Sequence, residues 1–97
     1  MTPVAQNCGA VAVAVQGRPI SVYVETFDWA FYKSGIFKNC GTRYLIHSVL
    51  LVGVTNTTWR IKNSWGKGWG MDGFMLLDAT NGNNTCGICR GAFYPNK

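Results

Sequence analysis

The chain has 97 residues, of which 47% are hydrophobic, and nine basic against four acidic side chains give it a net charge of +5. This composition excludes a disordered tail, and the length suits one domain, residues 1–97, with a modest core. The basic residues are scattered and form no stripe with aromatic residues, so we expect no nucleic-acid partner. The longest run of small apolar residues, Ala10 to Val15, is far shorter than the ~20 residues of a membrane span, so we expect no membrane partner.

The first third of the chain contains one ambiguous segment and one clear strand. Residues 4–16 read VAQNCGAVAVAVQ, in which the alternation favours a strand and the alanines favour a helix. Residues 19–25, PISVYVE, predict a strand with one buried face. Residues 33–35, KSG, predict a turn. We assign to the core the aromatic cluster that precedes this turn, Phe27, Trp29, Phe31 and Tyr32.

The middle of the chain predicts a β-hairpin. HSVLLVGV begins at His47 and TTWRIKNSW begins at Thr57, and the polar residues 55–57 lie where the two runs meet. A register centred on Thr55 places His47 opposite Asn63, about 5 Å apart at Cβ. A slip of one residue would put these two side chains on opposite faces. The same register pairs Leu51 with Trp59 and Val49 with Ile61, and it turns Arg60 and Lys62 to solvent.

An imidazole beside a carboxamide has a chemical use. The amide oxygen can accept a hydrogen bond from one ring nitrogen and fix the tautomer, which leaves the other nitrogen free to act as acid or base. His47 is the only histidine of the chain, and the competing interpretation is a histidine with a purely structural role. The Gly/Trp-rich loop that follows contains Trp65 and Trp69 between polar flanks, which suits a loop covering a site as well as a core loop.

Four cysteines in a short chain indicate an oxidising compartment and allow three disulfide pairings. The motif Cys86-Gly87-Ile88-Cys89 could also bind zinc or carry out thiol exchange. A zinc site needs two more well-spaced ligands, and a redox motif usually opens a helix, whereas a strand-like GAFYP follows here. We therefore expect no metal and no cofactor. Two sequons, Asn56-Thr57-Thr58 and Asn83-Asn84-Thr85, lie in predicted loops.

Several segments together resemble the papain-like cysteine peptidases of the cathepsin L type. The motif KNSWGKGWG follows His47, and it is accompanied by PISVYVE, WAFYKSGIFKNCG, GMDGFMLL and CGICRGAFYP, so that the resemblance runs almost continuously from Pro19 to Pro95. It implies the C-terminal, right-hand domain of that fold. The expected fold is α+β: an antiparallel sheet that curls toward a barrel, short helical turns, and a short N-terminal helix ending near Gln16 and Gly17.

The resemblance also implies roles for individual residues. His47 would be the catalytic histidine and Asn63 the amide that orients it. Trp65 would lie over this pair and keep water off it, and Trp69 would line the leaving-group side of the cleft. Three further residues match positions around the S2 specificity pocket: Tyr23, Ser48 and Gly91. Tyr23 stands where a small or aliphatic residue is common, and Ile46 stands where Asn or Asp usually precedes the histidine, so both depart from the family pattern.

In this family the nucleophilic cysteine lies on a separate helical domain, N-terminal in sequence. The resemblance therefore implies a Cys-bearing partner domain or chain, a peptide or protein substrate, and a lysosomal, vacuolar or secreted location. It favours a Cys40–Cys86 disulfide, which leaves Cys8 and Cys89 as a second pair that is not typical of the family. Cys8 follows Asn7 and precedes Gly9, but it lacks the second cysteine and the tryptophan of the nucleophile motif, so we do not assign it that role.

Two functions follow. The chain is the His/Asn half of a cysteine endopeptidase, inactive alone, or it is a catalytically inactive, protease-like module that binds partners or builds a larger assembly.

Overall fold

A computed structural model describes residues 2–26, 29–38, 45, 47–80 and 85–94. One helix and seven strands follow one another in these ranges: β1 Thr2–Pro3, α1 Cys8–Gly17, β2 Ile20–Val24, β3 Ile36–Phe37, β4 His47–Val54, β5 Thr58–Lys62, β6 Phe74–Asp78 and β7 Ala92–Tyr94. A short 3-10 turn at Thr85–Gly87 precedes β7.

The ambiguous N-terminal segment is a helix. The Asn7 side chain caps it by accepting a hydrogen bond from the Ala10 N–H at 2.7 Å, the arrangement for which asparagine is favoured at a helix start. One side of α1 is buried through Val11, Ala14 and Val15, and the helix packs on β4. Its last residue, Gly17, agrees with the predicted end.

The strands form one sheet in the order β1-β7-β2-β4-β5-β6-β3. Every pairing is antiparallel except that of β3 with β6. The α+β class predicted from the sequence is therefore confirmed. The curl toward a barrel stops short of closure among the described residues, because β1 and β3 remain as separate edges.

The central strands bury one face and leave the other open. Ile20, Val22 and Val24 of β2 are fully buried, and they pair with the β4 residues Leu51, Val49 and His47. The alternate residues lie on the open face, where they are half-buried or exposed: Ser21, Tyr23, Ser48, Leu50 and Lys62. The core face is completed by Trp59, Ile61, Met75 and Leu77 from β5 and β6.

The hairpin exists, but its predicted register was wrong, by two residues on the histidine side of Val52 and by three on the turn side. Leu51 lies opposite Ile61 rather than Trp59, and Trp59 lies opposite Val54. The turn closes between Thr55 and Thr58, whose backbone groups bond at 2.9 Å, so its centre falls beyond Thr55. Arg60 and Lys62 are exposed, as predicted.

The aromatic cluster before the first turn is only partly core. Trp29 and Tyr32 are buried, but Phe31 is 92% exposed, so its assignment to the core was wrong. The Tyr32 N–H donates to the Trp29 carbonyl at 3.0 Å, and this turn brings residues three apart to one side and directs Phe31 away. Phe27 lies outside the described residues.

A disulfide joins Cys8 in the first turn of α1 to Cys89, which is buried just before β7. This is the pair that is not typical of the family. Cys86 is also disulfide-bonded, but Cys40 lies outside the described residues, so the Cys40–Cys86 bridge stays a prediction. None of the helices described is long and apolar enough to cross a membrane.

Candidate active site

His47 and Asn63 meet at the open end of the hairpin. His47 is the first residue of β4, and Asn63 directly follows the last residue of β5. The His47 Nε2 atom lies 3.0 Å from Asn63 Oδ1, within hydrogen-bond distance. The imidazole is half-buried and the asparagine is 4% exposed, so the pair lies between the core and the surface.

A β-bulge at Val52 determines that these two side chains share a face. Beyond it Leu50 pairs with Lys62, and one further step along the ladder brings Val49 beside Asn63, two residues from His47. Side chains two residues apart on a strand point to the same face. If Val52 were paired as a regular ladder residue, the register would move by one and the side chains of His47 and Asn63 would lie on opposite faces.

The hydrogen bonds of Asn63 assign the histidine tautomer. The Ser64 backbone N–H donates to Asn63 Oδ1 at 2.7 Å, and a backbone N–H can only donate, so this atom is the amide oxygen. His47 Nε2 must then donate to it, and in the neutral ring Nδ1 is left with the free lone pair. The arrangement therefore offers Nδ1 as the base.

The other half of the Asn63 amide is a buried donor. Its Nδ2 has no hydrogen-bond partner within the described part of the chain. A buried donor without a partner costs about 1–3 kcal/mol, so an acceptor supplied from outside these residues would remove that cost.

Trp65 lies beside the histidine. Its ring centroid is 5.4 Å from that of His47, at an interplanar angle of 39°. Trp65 is 42% exposed, whereas Trp69 is 8% exposed and meets Trp65 edge-on at 5.2 Å. Trp65 therefore screens one side of the imidazole, and Trp69 supports Trp65 from the core side.

The sequence did not reveal that Trp29 belongs to this support. Its ring stacks on Trp69 at 6.0 Å, and its carbonyl accepts from Trp69 Nε1 at 2.9 Å. Trp29 is fully buried, and its own indole N–H donates to the sulfur of Cys86 at 3.4 Å. Its role in positioning the site is carried by tertiary contacts, for which the sequence has no local signal.

Tyr32 anchors the far side of the same cluster. Its ring lies 5.5 Å from Trp69, and its hydroxyl donates to the Gly35 carbonyl at 2.6 Å. Burial raises the pKa of Tyr32, and the hydrogen bond from the Leu76 N–H opposes this rise. Tyr32 thus stays protonated and structural at neutral pH.

The three residues matched to the specificity pocket lie together. Tyr23 pairs directly with Ser48, and its N–H donates to the Gly91 carbonyl at 2.9 Å. A Cβ on Gly91 would lie only 3.1 Å from the Tyr23 Cβ, so the glycine makes room for the tyrosine. By strand alternation Tyr23 and Ser48 occupy the open face, opposite to His47.

A groove of about 450 Å³ follows this open face toward Asn63. Ser21, Ser48, Leu50, Lys62 and Ser64 contribute to its walls. Val49 and Asn63 complete its lining.

The described residues provide a base but no free nucleophilic cysteine. Cys8, Cys86 and Cys89 are all disulfide-bonded. The described part of the chain also contains no group of three or more His, Cys, Asp or Glu side chains that could hold a metal ion. The chemistry that this arrangement offers is proton transfer by an oriented imidazole.

Comparison with known proteins identifies the family. The model of the papain family of cysteine proteases matches residues 2–96, and the chain belongs to this family. It is 43% identical over 90 residues to cathepsin L 2 of Paramecium tetraurelia and 43% identical over 96 residues to procathepsin L of Rattus norvegicus. These matches cover 92% and 87% of this chain but only 27% and 28% of the relatives.

Solved structures give the same result for the fold. A cysteine protease from Carica candamarcensis superposes with a TM-score of 0.87 at 37% identity, over 98% of this chain and 47% of the other. Digestive procathepsin L2 from Tenebrio molitor superposes with a TM-score of 0.82 at 35% identity, over 95% of this chain and 31% of the other. The resemblance predicted from the sequence is confirmed, and the one helix and mostly antiparallel sheet of the described residues agree with the right-hand domain of that fold.

Proposed function

We propose that this chain is the His/Asn-bearing domain of a papain-like cysteine endopeptidase and works with a separate Cys-bearing helical domain. The observation that carries the proposal is the hydrogen bond from His47 Nε2 to Asn63 Oδ1, which leaves Nδ1 free toward a nucleophile. The proposed domain division makes residues 1–97 one β-rich domain.

The reaction uses His47 first as a base and then as an acid. Nδ1 takes the proton of the partner domain's thiol, and the thiolate attacks the peptide carbonyl to form a carbon–sulfur bond. The imidazolium gives its proton to the leaving amine as the carbon–nitrogen bond breaks, and His47 then activates the water that hydrolyses the thioester. Asn63 holds the ring through all three steps, and Trp65 shields the Asn63 hydrogen bond from water.

The open sheet face supports the existence of a second domain. Ser21, Tyr23, Leu50 and Lys62 leave this face half-buried or exposed, although its strands are the centre of the sheet. The chain spans less than half of each structural relative, so a domain of comparable size is available to cover this surface. We propose that the Cys-bearing domain packs against the part of this face near Lys62 and Ser64, where the groove reaches Asn63, and leaves Tyr23 and Ser48 open to the substrate.

Substrate selection is assigned to Tyr23, Ser48 and Gly91. A tyrosine ring in an S2 pocket reduces its volume, so the proposed enzyme prefers a smaller side chain at the matching substrate position than enzymes with an aliphatic residue there. The disulfide and the cathepsin L relatives support a lysosomal, vacuolar or secreted location.

The full-length protein with the substitution His47→Ala tests the function. We expect turnover of a peptide substrate to fall by about 10²–10⁴-fold or more, since acid–base catalysis contributes this much. The thermal unfolding temperature should stay close to that of the wild type, because His47 is not part of the core. Labelling by an epoxide that alkylates active-site cysteines reports whether the partner thiol is competent.

Two results would decide against this function. Wild-type turnover in His47→Ala would exclude the histidine from catalysis. A folded wild-type protein that neither turns over peptides nor accepts the epoxide would establish the alternative, an inactive protease-like module.

A further inference from the structure

The tip of the β4–β5 hairpin carries a sequon that the proposed peptidase chemistry does not use. We propose that Asn56 bears an N-linked glycan and that its first sugar lies in an apolar groove beside the turn. Asn56-Thr57-Thr58 has the form that the glycosyl transfer requires, an asparagine followed two residues later by threonine, with no proline between them.

The turn presents Asn56 without depending on its side chain. Thr55 Oγ1 accepts the N–H groups of Thr57 and Thr58 at 3.2 and 3.0 Å, and it lies 2.8 Å from Thr58 Oγ1. None of these hydrogen bonds uses the Asn56 carboxamide, and the residue is exposed. A substituent on its Nδ2 therefore leaves the hairpin turn intact.

A groove of about 230 Å³ begins at Asn56 itself. Its other walls are largely apolar and come from both the hairpin and helix α1, through Cys8, Gly9, Ala12, Val54 and Trp59. An N-acetylhexosamine has one apolar ring face and an acetyl methyl group, and a sugar tethered to Asn56 reaches this surface without crossing solvent. Because the first sugar is covalently bonded to Asn56, it is the ligand that we assign to this groove.

The chemistry is a transfer from a lipid-linked oligosaccharide diphosphate. Asn56 Nδ2 forms a bond to the anomeric carbon while the carbon–oxygen bond to the diphosphate breaks, so the lipid diphosphate leaves with the electron pair and the amide loses a proton to a base of the transferase. The Cys8–Cys89 disulfide indicates an oxidising compartment, the environment in which such secreted domains are also glycosylated.

The inference rests on the secretory route in the proposed function but not on catalysis. Strand β4 separates the turn from His47 by its eight residues, which at ~3.3 Å each amount to roughly 25 Å. A glycan on Asn56 therefore leaves the candidate active site open, and Asn56→Gln should keep the peptidase activity of the wild type.

The experiment expresses the full-length protein in a eukaryotic secretory host. Asparagine-linked glycans are released by amidase in heavy-oxygen water, and the peptides are mapped by mass spectrometry. We expect Asn56 to become heavy-labelled Asp in the wild type and in Thr57→Ala, which keeps the sequon. The label should be lost in Thr58→Ala and retained in Thr58→Ser, which preserves both the hydroxyl and the sequon.

The groove is tested on the same material. After treatment with an endoglycosidase that leaves only the first sugar on Asn56, amide exchange around Ala12 and Val54 should stay slow. Complete removal of the glycan should make this exchange faster. Equal exchange in the two forms would overturn the seating of the sugar in the groove.

The proposal of a glycan on Asn56 would be wrong if the secreted protein had an intact Cys8–Cys89 bridge and an unmodified Asn56. Labelling of Asn83 alone would count as this result. Peptidase turnover, measured on the same preparation, distinguishes this failure from a failure of the proposed function.

Discussion

His47 and Asn63 are joined at 3.0 Å although the ladder does not set them directly opposite each other. The contact is diagonal, and it exists because the bulge at Val52 absorbs one residue of β4. A diagonal pair of this kind lies within reach of long side chains but needs both partners on one face. The geometry of the candidate site is thus set by a backbone irregularity five residues away from the histidine.

Deletion of Val52 should preserve this contact. Without the extra residue the ladder runs regularly from Val54 opposite Trp59 to Leu50 opposite Lys62, and the core-facing alternation of β4 is kept. We expect the variant to fold and to keep the His47–Asn63 hydrogen bond. Observation of a slowly exchanging Nε2 proton by NMR checks this.

Deletion of Leu50 is the matched control. It lies on the histidine side of the bulge, so the ladder must either turn His47 away from Asn63 or remove Leu51 from the core. We expect either the Nε2 signal to disappear or the unfolding free energy to fall by about 0.5–1.5 kcal/mol, because Val52 would replace the larger Leu51 opposite Ile61 in the core. A folded Val52 deletion without the histidine hydrogen bond would refute this account of the register.

Substitution of Asn63 should change the imidazole tautomer. In the wild type we expect the neutral ring to carry its proton on Nε2, since Oδ1 can only accept. Asn63→Ala removes this acceptor, so the tautomer mixture should shift toward that of free imidazole. The nitrogen chemical shifts of labelled histidine measure the change.

Ser64→Ala serves as the control for this measurement, because the bond to Oδ1 comes from the Ser64 backbone and not from its hydroxyl. Its nitrogen shifts should match the wild type. Identical shifts in Asn63→Ala would show that the amide does not select the tautomer.

The sequence predicted which residues meet at this site more accurately than it predicted the geometry of their contact. The β-branched runs and the polar turn predict the hairpin, and with the single histidine they predict the His47–Asn63 pair. A glycine inside a strand often marks a bulge, so Gly53 was a signal that the predicted register did not use. Nothing in LLVGV distinguishes Val52 as the extra residue until the core selects which valine and leucine side chains to bury. The predicted contact between His47 and Asn63 was correct despite a register error of two residues, because an even shift keeps both side chains on the same face.

The contribution of Trp29 to the site could not be predicted from the sequence, for a different reason. Trp29 supports Trp69 through a carbonyl hydrogen bond and a ring stack across 40 residues of sequence. The AVAVAV pattern of α1 has a period that favours a strand. The segment is nevertheless a helix, and the Asn7 cap stabilises its start. Both cases show tertiary or end-specific contacts overriding a local pattern.

Gly70 should tolerate no side chain, unlike its neighbour Gly68. Gly70 has φ +59°, and a Cβ there would lie 2.7 Å from the Phe74 carbonyl oxygen. We expect Gly70→Ala to lower the unfolding free energy by about 1–3 kcal/mol, as is usual for a strained backbone position. Because this loop carries Trp65 and Trp69, the fluorescence of the folded protein should change as well.

Gly68→Ala provides the comparison, since no atom lies within 4 Å of its Cβ position and its φ is not positive in the strained range. Its unfolding free energy should stay within about 0.5 kcal/mol of the wild type. Urea denaturation measures both variants. Equal stabilities for the two would contradict the close approach at Phe74.

The Cys8–Cys89 disulfide should be a major source of stability. It closes 81 residues of sequence and ties the first turn of α1 to the buried segment before β7. The double substitution Cys8→Ala and Cys89→Ala should lower the unfolding free energy by about 2–5 kcal/mol, because the unfolded chain regains the freedom that the bridge removes. Urea denaturation under non-reducing conditions checks the loss, and a non-reducing peptide map confirms which bridge is missing. Gly91 follows Cys89 by two residues, and the Tyr23 N–H of β2 donates to its carbonyl. Faster amide exchange should therefore be confined to α1, the segment before β7 and Tyr23. A variant as stable as the wild type would show that the bridge does not constrain α1 or this segment.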